Sequence, residues 1–331
     1  MSIISSIRSK AKSLGKRVLL PEAERDIRVI RAANIILENG IAVPILIGND
    51  KRIRALAKKH EVVVPDEISI QSANDLESEQ ERFRFFEEKL AHKNPAKEQI
   101  LVLCNDPLYT AGWLLEKGET DAVVAGSIAS TPDVIRGALR TVGVAADSTI
   151  ISSTFLMEMP NGKVFTYADC AVVPYPDSEQ LASIAIDSGK THQLLTGIEP
   201  RIAFLSFSTK GSAQHERVEI IKEAFESAKQ QNTSWEMDGE LQFDAAIVPE
   251  IAHRKAPNSL LAGKANVFIF PNLDAGNIAY KITERLAGAV ATGPILQGLA
   301  KPYLDLSRGC SVDDIVNVAA VGVLLSVQTS S

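Results

Sequence analysis

The sequence predicts an α/β fold with a mainly parallel sheet, divided into two domains, and three observations carry that expectation. Short β-branched runs alternate with amphipathic helical patterns, the βαβ rhythm of a sheet covered on both faces. The length of 331 residues corresponds to two domains at roughly 150 residues each. The rhythm breaks once, at Pro160-Asn161-Gly162, which places a change of domain near residue 147.

In chain order, residues 1–17 are basic and contain serine but no acid, loosely like a transit peptide. Lys10, Lys12 and Lys16 lie beyond any signal-peptide apolar core, so the segment reads as an ordinary first helix. Residues 17–21 read as a strand, and 26–39 as an amphipathic helix ended by Gly40. Residues 43–48, 100–103 and 121–125 are further strands, with helices between them. Residues 150–159 and 163–168 flank the Asn-Gly pair and form an antiparallel hairpin. Beyond it, 202–207, 244–248 and 267–270 read as strands, and 178–188, 214–230 and 274–287 as helices. Residues 294–299 make one more strand. The final helix, 313–327, returns to pack on the first domain. The expected domains are therefore 1–147 plus 297–331, and 148–296.

Composition narrows the function. A hydrophobic content of 45% supports a large core, and average charge and glycine content exclude disorder or a disulfide scaffold. The net charge of −6 argues against nucleic acid as a partner. Anionic substrates would need individual arginines working against that overall field. Cys104, Cys170 and Cys310 are odd in number and widely spaced, as in a reduced, cytoplasmic protein. His60, His92, His192, His215 and His253 show no metal-ligand spacing. The C-terminal apolar run is broken by Asn317 and falls short of the roughly twenty residues a membrane span needs.

Several segments could carry chemistry. Ser188-Gly189-Lys190-Thr191 imitates the end of a phosphate-binding loop, but Ile184 stands where the first glycine belongs, and the segment follows a helix pattern. No glycine fingerprint for a dinucleotide opens a helix after a strand. Gly126 to Arg136 directly follows a predicted strand, with Thr131 as N-cap and Pro132 as first helical residue. Small residues there, Ser127 among them, could let backbone N–H groups approach an anion, and Arg136 could grip it bidentately. The segment reads equally well as a capped surface helix with one exposed arginine. Ser208-Thr209-Lys210-Gly211, between a strand and a helix, offers the same choice between an anion site and a plain turn. Arg28 alone reads as a helix-surface arginine, and Cys170 as a buried small residue. The junction Asp305-Leu306-Ser307-Arg308-Gly309-Cys310-Ser311-Val312-Asp313-Asp314 combines a hydroxyl, a guanidinium and carboxylates. It could hold an anion and remove a proton, or simply cap the last helix through Ser311.

The segments Phe207-Ser208-Thr209-Lys210-Gly211-Ser212-Ala213 and Asp238-Gly239-Glu240-Leu241-Gln242-Phe243-Asp244-Ala245-Ala246 resemble a known family. So do Asn266-Val267-Phe268-Ile269-Phe270-Pro271-Asn272-Leu273-Asp274-Ala275-Gly276-Asn277-Ile278, Gly293-Pro294-Ile295-Leu296-Gln297-Gly298-Leu299 and Asp305-Leu306-Ser307-Arg308-Gly309-Cys310. In this order they resemble the phosphate acetyltransferases, within the phosphate acetyl/butyryltransferase family, over nearly the whole chain. That resemblance implies reversible transfer of acetyl between coenzyme A and inorganic phosphate. It implies two three-layer αβα domains like those of isocitrate and isopropylmalate dehydrogenases, with the active site in the interdomain cleft. It further implies a cytoplasmic homodimer with coenzyme A as substrate, no tightly bound cofactor, and an acetate kinase as pathway neighbour.

Carried over by motif, Asp314 matches the family's general base, which takes the coenzyme A thiol proton. Ser307 would orient the reacting groups, and Arg308 would hold the phosphoryl group. Arg136 and, less closely, Arg28 match arginines that bind anionic substrate, while Cys170 matches a cysteine near the site that is not the nucleophile. Ser127, Thr131, Ser208, Thr209 and Lys210 are further expected substrate contacts. The chain departs from the pattern at Glu87-Glu88-Lys89-Leu90-Ala91-His92-Lys93, where the family usually carries an arginine. Lys89 or Lys93 could supply charge there without the bidentate geometry. Leu304 stands where the family often has Asn. A phosphate butyryltransferase and a non-catalytic acetyl-CoA-sensing module are the competing readings.

Overall fold

The computed structural model describes residues 2–72, 76–232 and 234–328. The chain begins α1 (Ile3–Ala11), β1 (Arg17–Leu20), α2 (Ile27–Glu38), β2 (Val43–Ile47), α3 (Asp50–Lys59), β3 (Ser69–Gln71) and α4 (Leu76–Lys89). A short 3-10 turn leads to α5 (Lys97–Cys104), α6 (Pro107–Glu116), β4 (Ala122–Ala125) and α7 (Thr131–Thr141). Next come β5 (Ser152–Glu158), β6 (Val164–Ala168), α8 (Ser178–Thr196), β7 (Arg201–Leu205), α9 (Glu216–Gln231) and β8 (Glu236–Leu241). The last elements are α10 (Phe243–Ile247), α11 (Pro249–Lys255), β9 (Val267–Ile269), α12 (Leu273–Ala287), β10 (Val290–Gln297), β11 (Tyr303–Asp305) and α13 (Val312–Gln328).

Two compact units emerge. One combines Ile4–Gly143 with Leu299–Ser331, and the other combines Met1–Ile3 with Val144–Gly298. In the first, five strands in the order β11-β4-β1-β2-β3 pair only in parallel. Every residue of β4 is buried, as expected of a central strand covered on both faces. Leu19, Val123, Ala125 and Tyr303 cluster with Trp113, Ala138 and other side chains of α6 and α7. On the other face α13 packs on β4 and α2. Gly322 brings that helix close, since a Cβ there would meet the Ala122 and Leu304 side chains at about 3 Å.

In the second unit the sheet order is β10-β5-β6-β9-β7-β8. The β5–β6 hairpin and the β5–β10 pair are antiparallel, and the other pairs are parallel. The β5–β10 register shifts between Thr292 and Ile295, where Pro294 cannot donate to the ladder. Among the described residues no helix is long and apolar enough to cross a membrane.

Local structure corrects the sequence reading at four points. Residues 100–103 are not a strand but lie in α5, where Ile100 and Cys104 are buried and Val102 is 69% exposed. Only the one-turn spacing of the buried pair distinguishes that short apolar run from a strand. Residues 244–248 likewise fall on helix α10 and its end, whereas the strand is β8, containing Asp238, Gly239 and Glu240. These residue types are poor strand formers, and pairing with β7 overrides their preference. Helix α7 is capped by Ser130 rather than Thr131: its side chain accepts from Asp133 N. Finally, α8 runs on to Thr196, so Ser188 to Thr191 lie inside a helix, and Gly189 faces the Trp235 ring instead of a phosphate.

Candidate active site

The site residues of the all-parallel unit gather where three neighbouring strands, β11, β4 and β1, run out at their carboxyl ends. That is the edge at which open α/β sheets bind ligands. Each strand feeds a loop and then a helix: β1 into α2, β4 into α7, and β11 into α13.

The loops are tied together by charge. Glu22, just after β1, places its carboxylate among the loop amides that follow β4. It accepts from Ser127 N at 2.7 Å, Ser127 Oγ at 2.9 Å, Ile128 N at 3.0 Å and Ala129 N at 2.7 Å. The amides expected to receive a ligand anion therefore already hold an anion, one supplied by the chain. Ser127 is buried and serves this anchor.

Arg28 completes the tie. Its guanidinium donates to both carboxylate oxygens of Asp26, to Ser127 O at 2.9 Å, to Arg308 O at 3.0 Å and to Cys310 O at 2.7 Å. These bonds occupy all its donors. Arg28 is thus not the solvated helix arginine its sequence position suggests. Burial pushes the Asp26 carboxyl up, but the hydrogen bonds from Arg28 outweigh it and hold the group below the usual carboxylate range.

Thr131 Oγ1 donates to Asp305 Oδ2 at 2.5 Å, joining the first turn of α7 to the end of β11. Asp305 is 1% exposed, and its Oδ1 has no hydrogen-bond partner among the described residues. Burial pushes its carboxyl up to about 6. Only glycine fits opposite: a Cβ on Gly126, whose φ is +101°, would sit 2.3 Å from that oxygen.

Beyond this frame stand the exposed groups. Ser307 accepts weakly from Gly309 N at 3.3 Å, and the Arg308 side chain points into a cavity of about 410 Å³ lined also by Tyr109 and Ser130. Asp314 and Ser311 form a reciprocal cap on α13. Asp314 Oδ2 accepts from Ser311 N and Oγ, both at 2.8 Å, and Asp314 N donates to Ser311 Oγ at 3.1 Å. Capping uses one carboxylate oxygen, and no hydrogen bond to Oδ1 occurs among the described residues. Arg136 is exposed and pairs with Asp133. Lys89 lies 3.7 Å from Glu116 and over the Phe85 ring.

Of the candidates in the mixed-sheet unit, Ser208, Thr209 and Cys170 are buried and Lys210 is exposed. Ser208 is fully buried and donates to Glu240 Oε1 at 2.8 Å, while the same carboxylate oxygen accepts from Gly211 N at 2.7 Å. Thr209 Oγ1 accepts from Gln242 N at 2.9 Å. Lys210 pairs with Asp238 and donates to Gly239 O at 2.6 Å. The loop is thereby fastened to β8. Cys170 has no accessible surface, and burial pushes its thiol well above the ordinary range. Cys170 packs in the core cluster with Tyr167 and Phe268.

Sequence reasoning missed Glu22, Asp26 and Asp305 as organisers of the site. For Asp26 the signal was its place just before a helical pattern, where it caps α2 by accepting from Arg28 N at 2.9 Å. Nothing in the sequence pairs Glu22 with residues 127–129.

Comparison with known proteins bears on the chain as a whole. The family described as Phosphate acetyl/butaryl transferase matches residues 2–323. A phosphate acetyltransferase of Acetivibrio thermocellus is 45% identical over 97% of both chains. A phosphotransacetylase structure from Streptococcus pyogenes is 38% identical, covers 98% of both chains and superposes with a TM-score of 0.94. A more distant likeness, of fold alone, is a 4-hydroxythreonine-4-phosphate dehydrogenase from Salmonella typhimurium. It is 12% identical, covers 94% of this chain and 99% of its own, and has a TM-score of 0.55.

The buried Asp305 carboxyl gives a pH signature. Its folded value of about 6 lies above the ordinary 3.8, so the folded state binds the proton more tightly than the unfolded chain. Stability therefore falls as pH rises from about 4 to about 6, and the cost is fully developed above that window. Asp305→Asn, which cannot ionise, should lack this component. The difference in unfolding free energy between variant and parent should shift by on the order of 3 kcal/mol between pH 4 and pH 7. Urea titrations at both pH values measure it, and a difference that does not change with pH would refute the assignment.

Proposed function

This chain belongs to the phosphate acetyl/butaryl transferase family, and from that membership we propose how its own residues carry out the reaction. The protein is an acyltransferase that moves an acetyl group reversibly between coenzyme A and inorganic phosphate. The observation that carries the residue assignment is the junction after β11. There Ser307, Arg308 and the helix-capping Asp314 stand exposed on a frame held by the bonds of Glu22 and Arg28.

In the direction of acetyl-CoA synthesis, Asp314 removes the proton from the coenzyme A thiol. A free thiol has a pKa of roughly 8.5, so a base is needed to raise the thiolate fraction. The thiolate attacks the carbonyl carbon of acetyl phosphate, the carbon–oxygen bond to phosphate breaks, and phosphate leaves. Arg308 holds the phosphoryl group and stabilises the charge developing during the attack. Ser307 orients the reacting groups through its hydroxyl. Arg136 and Thr131 line the approach, while Arg28 and Ser127 act by fixing the loops. Coenzyme A enters as a substrate, and the transfer needs no tightly bound cofactor.

Direct transfer in a ternary complex is favoured over an acyl-cysteine. All three cysteines are buried, and burial pushes each thiol up, away from the thiolate a nucleophile requires. Three free thiols also suit a cytoplasmic setting, where an acetate kinase would be the pathway neighbour.

The protein acts as a homodimer in this reading. Ile278, Ile282 and Leu286 recur every four residues on α12 and are 58%, 52% and 84% exposed, an apolar stripe suited to a second copy. Leu286→Glu should shift the mass measured by light scattering from dimer to monomer; a parent protein that is monomeric at micromolar concentration would remove the proposal.

Two measurements test the activity. Coenzyme A-dependent turnover should be faster with acetyl phosphate than with butyryl phosphate, the reverse order would favour a butyryltransferase, and turnover of neither would leave a sensing module. Asp314→Asn should lower kcat by roughly 100-fold or more with coenzyme A binding retained, and Arg308→Ala should lose both rate and phosphate affinity. If Asp314→Asn changes only thermal stability, Asp314 is a cap and not the base.

A further inference from the structure

Arg308 is not alone in the cavity of about 410 Å³, whose charged lining consists of Glu22, Arg25, Asp106, Asp133 and Arg308. The three acids are already answered within the fold. Glu22 accepts from four donors. Asp106 caps α6 by accepting from Leu108 N at 2.8 Å. Asp133 is bonded by Ser130 and paired with Arg136. The two guanidiniums are less committed: neither Arg25 nor Arg308 makes an ion pair or side-chain hydrogen bond among the described residues, both are exposed, and Glu24 and Asp106 feel Arg25 only at longer range. The uncommitted charge facing this cavity is therefore positive, in a protein whose net charge is −6.

Arg25 also stands on a fixed base. Its N–H donates to Glu22 O at 3.1 Å, as does that of Asp26, so the turn that presents it belongs to the Glu22 anchor. Its own side chain remains free to turn toward a ligand. We propose that Arg25 is a second anion-gripping residue, which acts with Arg308 to hold the phosphoryl group of inorganic phosphate or acetyl phosphate in this cavity. The choice of these two ligands rests on the acyltransferase function proposed for the chain. Two planar forks can satisfy a tetrahedral dianion from two sides. The apolar wall of Pro107, Leu108 and Ile128 leaves room beside it for a small acyl group.

The same chemistry would suit a phosphate carried by coenzyme A, and the experiment separates the two sources. Arg25→Gln should raise KM for acetyl phosphate and for inorganic phosphate by about 10- to 100-fold, the loss expected for a charge-assisted contact. KM for coenzyme A should stay within twofold and kcat within about threefold, and Arg25→Lys should recover part of the loss. A rise in KM for coenzyme A alone, or phosphate KM values within twofold of the parent, would overturn the proposal. Calorimetric titration of the parent and Arg25→Gln with inorganic phosphate keeps the inference independent of turnover. A tenfold or greater weakening supports it even if the parent transfers no acetyl group, an outcome that would sink the acyltransferase reading alone. No binding to the parent, or equal binding to both, defeats it.

Discussion

The site depends on one interaction: the Glu22 carboxylate seated in the amides of residues 127–129. An unpaired carboxylate removed from water is strongly disfavoured, and here four N–H and O–H donors compensate it. The bond fixes the loop after β1 against the loop after β4. Arg28 then extends the tie to the loop after β11, because it bonds Ser127 O, Arg308 O and Cys310 O together. Arg308, and the capped helix that comes after it, inherit their position from this chain of charged contacts. A guanidinium with every donor in use contributes rigidity, while one with none in use, like Arg308, is available to a ligand.

The mixed-sheet unit applies the same physics with different residues. Asp169 accepts from Ala171 N at 2.9 Å and Val173 N at 2.7 Å and is also bonded by Ser153. Glu240 holds the loop of Ser208 and Gly211. In each case a carboxylate of the chain takes loop donors near a strand end, two or more amides at Asp169 and one amide with one hydroxyl at Glu240. Loops rich in glycine and hydroxyl residues invite an anion because their N–H groups converge. In this protein several such invitations are met internally, which is why the proposed phosphate contacts are arginine side chains and not loop amides.

That distinction explains how much of the site was legible. The run from Ser307 to Asp314 could be read as both a site and a cap, and the structure shows the cap through Ser311 and Asp314. The segments at 126–131 and 208–211 had the residue types of an anion cradle. Their occupants, Glu22 and Glu240, are distant in sequence and left no local trace. Arg28 looked dispensable on its helix because its carbonyl partners lie about a hundred and nearly three hundred residues away. Among the strands, β8 was invisible since Asp238, Gly239 and Glu240 carry no β preference of their own.

By itself the sequence determined the α/β class, the parallel rhythm, the Asn-Gly hairpin and the family. Each is written in local periodicity, turn chemistry or contiguous motifs, where neighbours along the chain are neighbours in space. Only the tertiary structure decided which charges are spent and which remain free. Whether Glu22, Arg28, Ser127 and Asp305 face a ligand or each other depends on strands β11, β4 and β1 lying side by side. Pairing of their ends is a long-range event, and burial there converts polar side chains into fixed partners of the backbone.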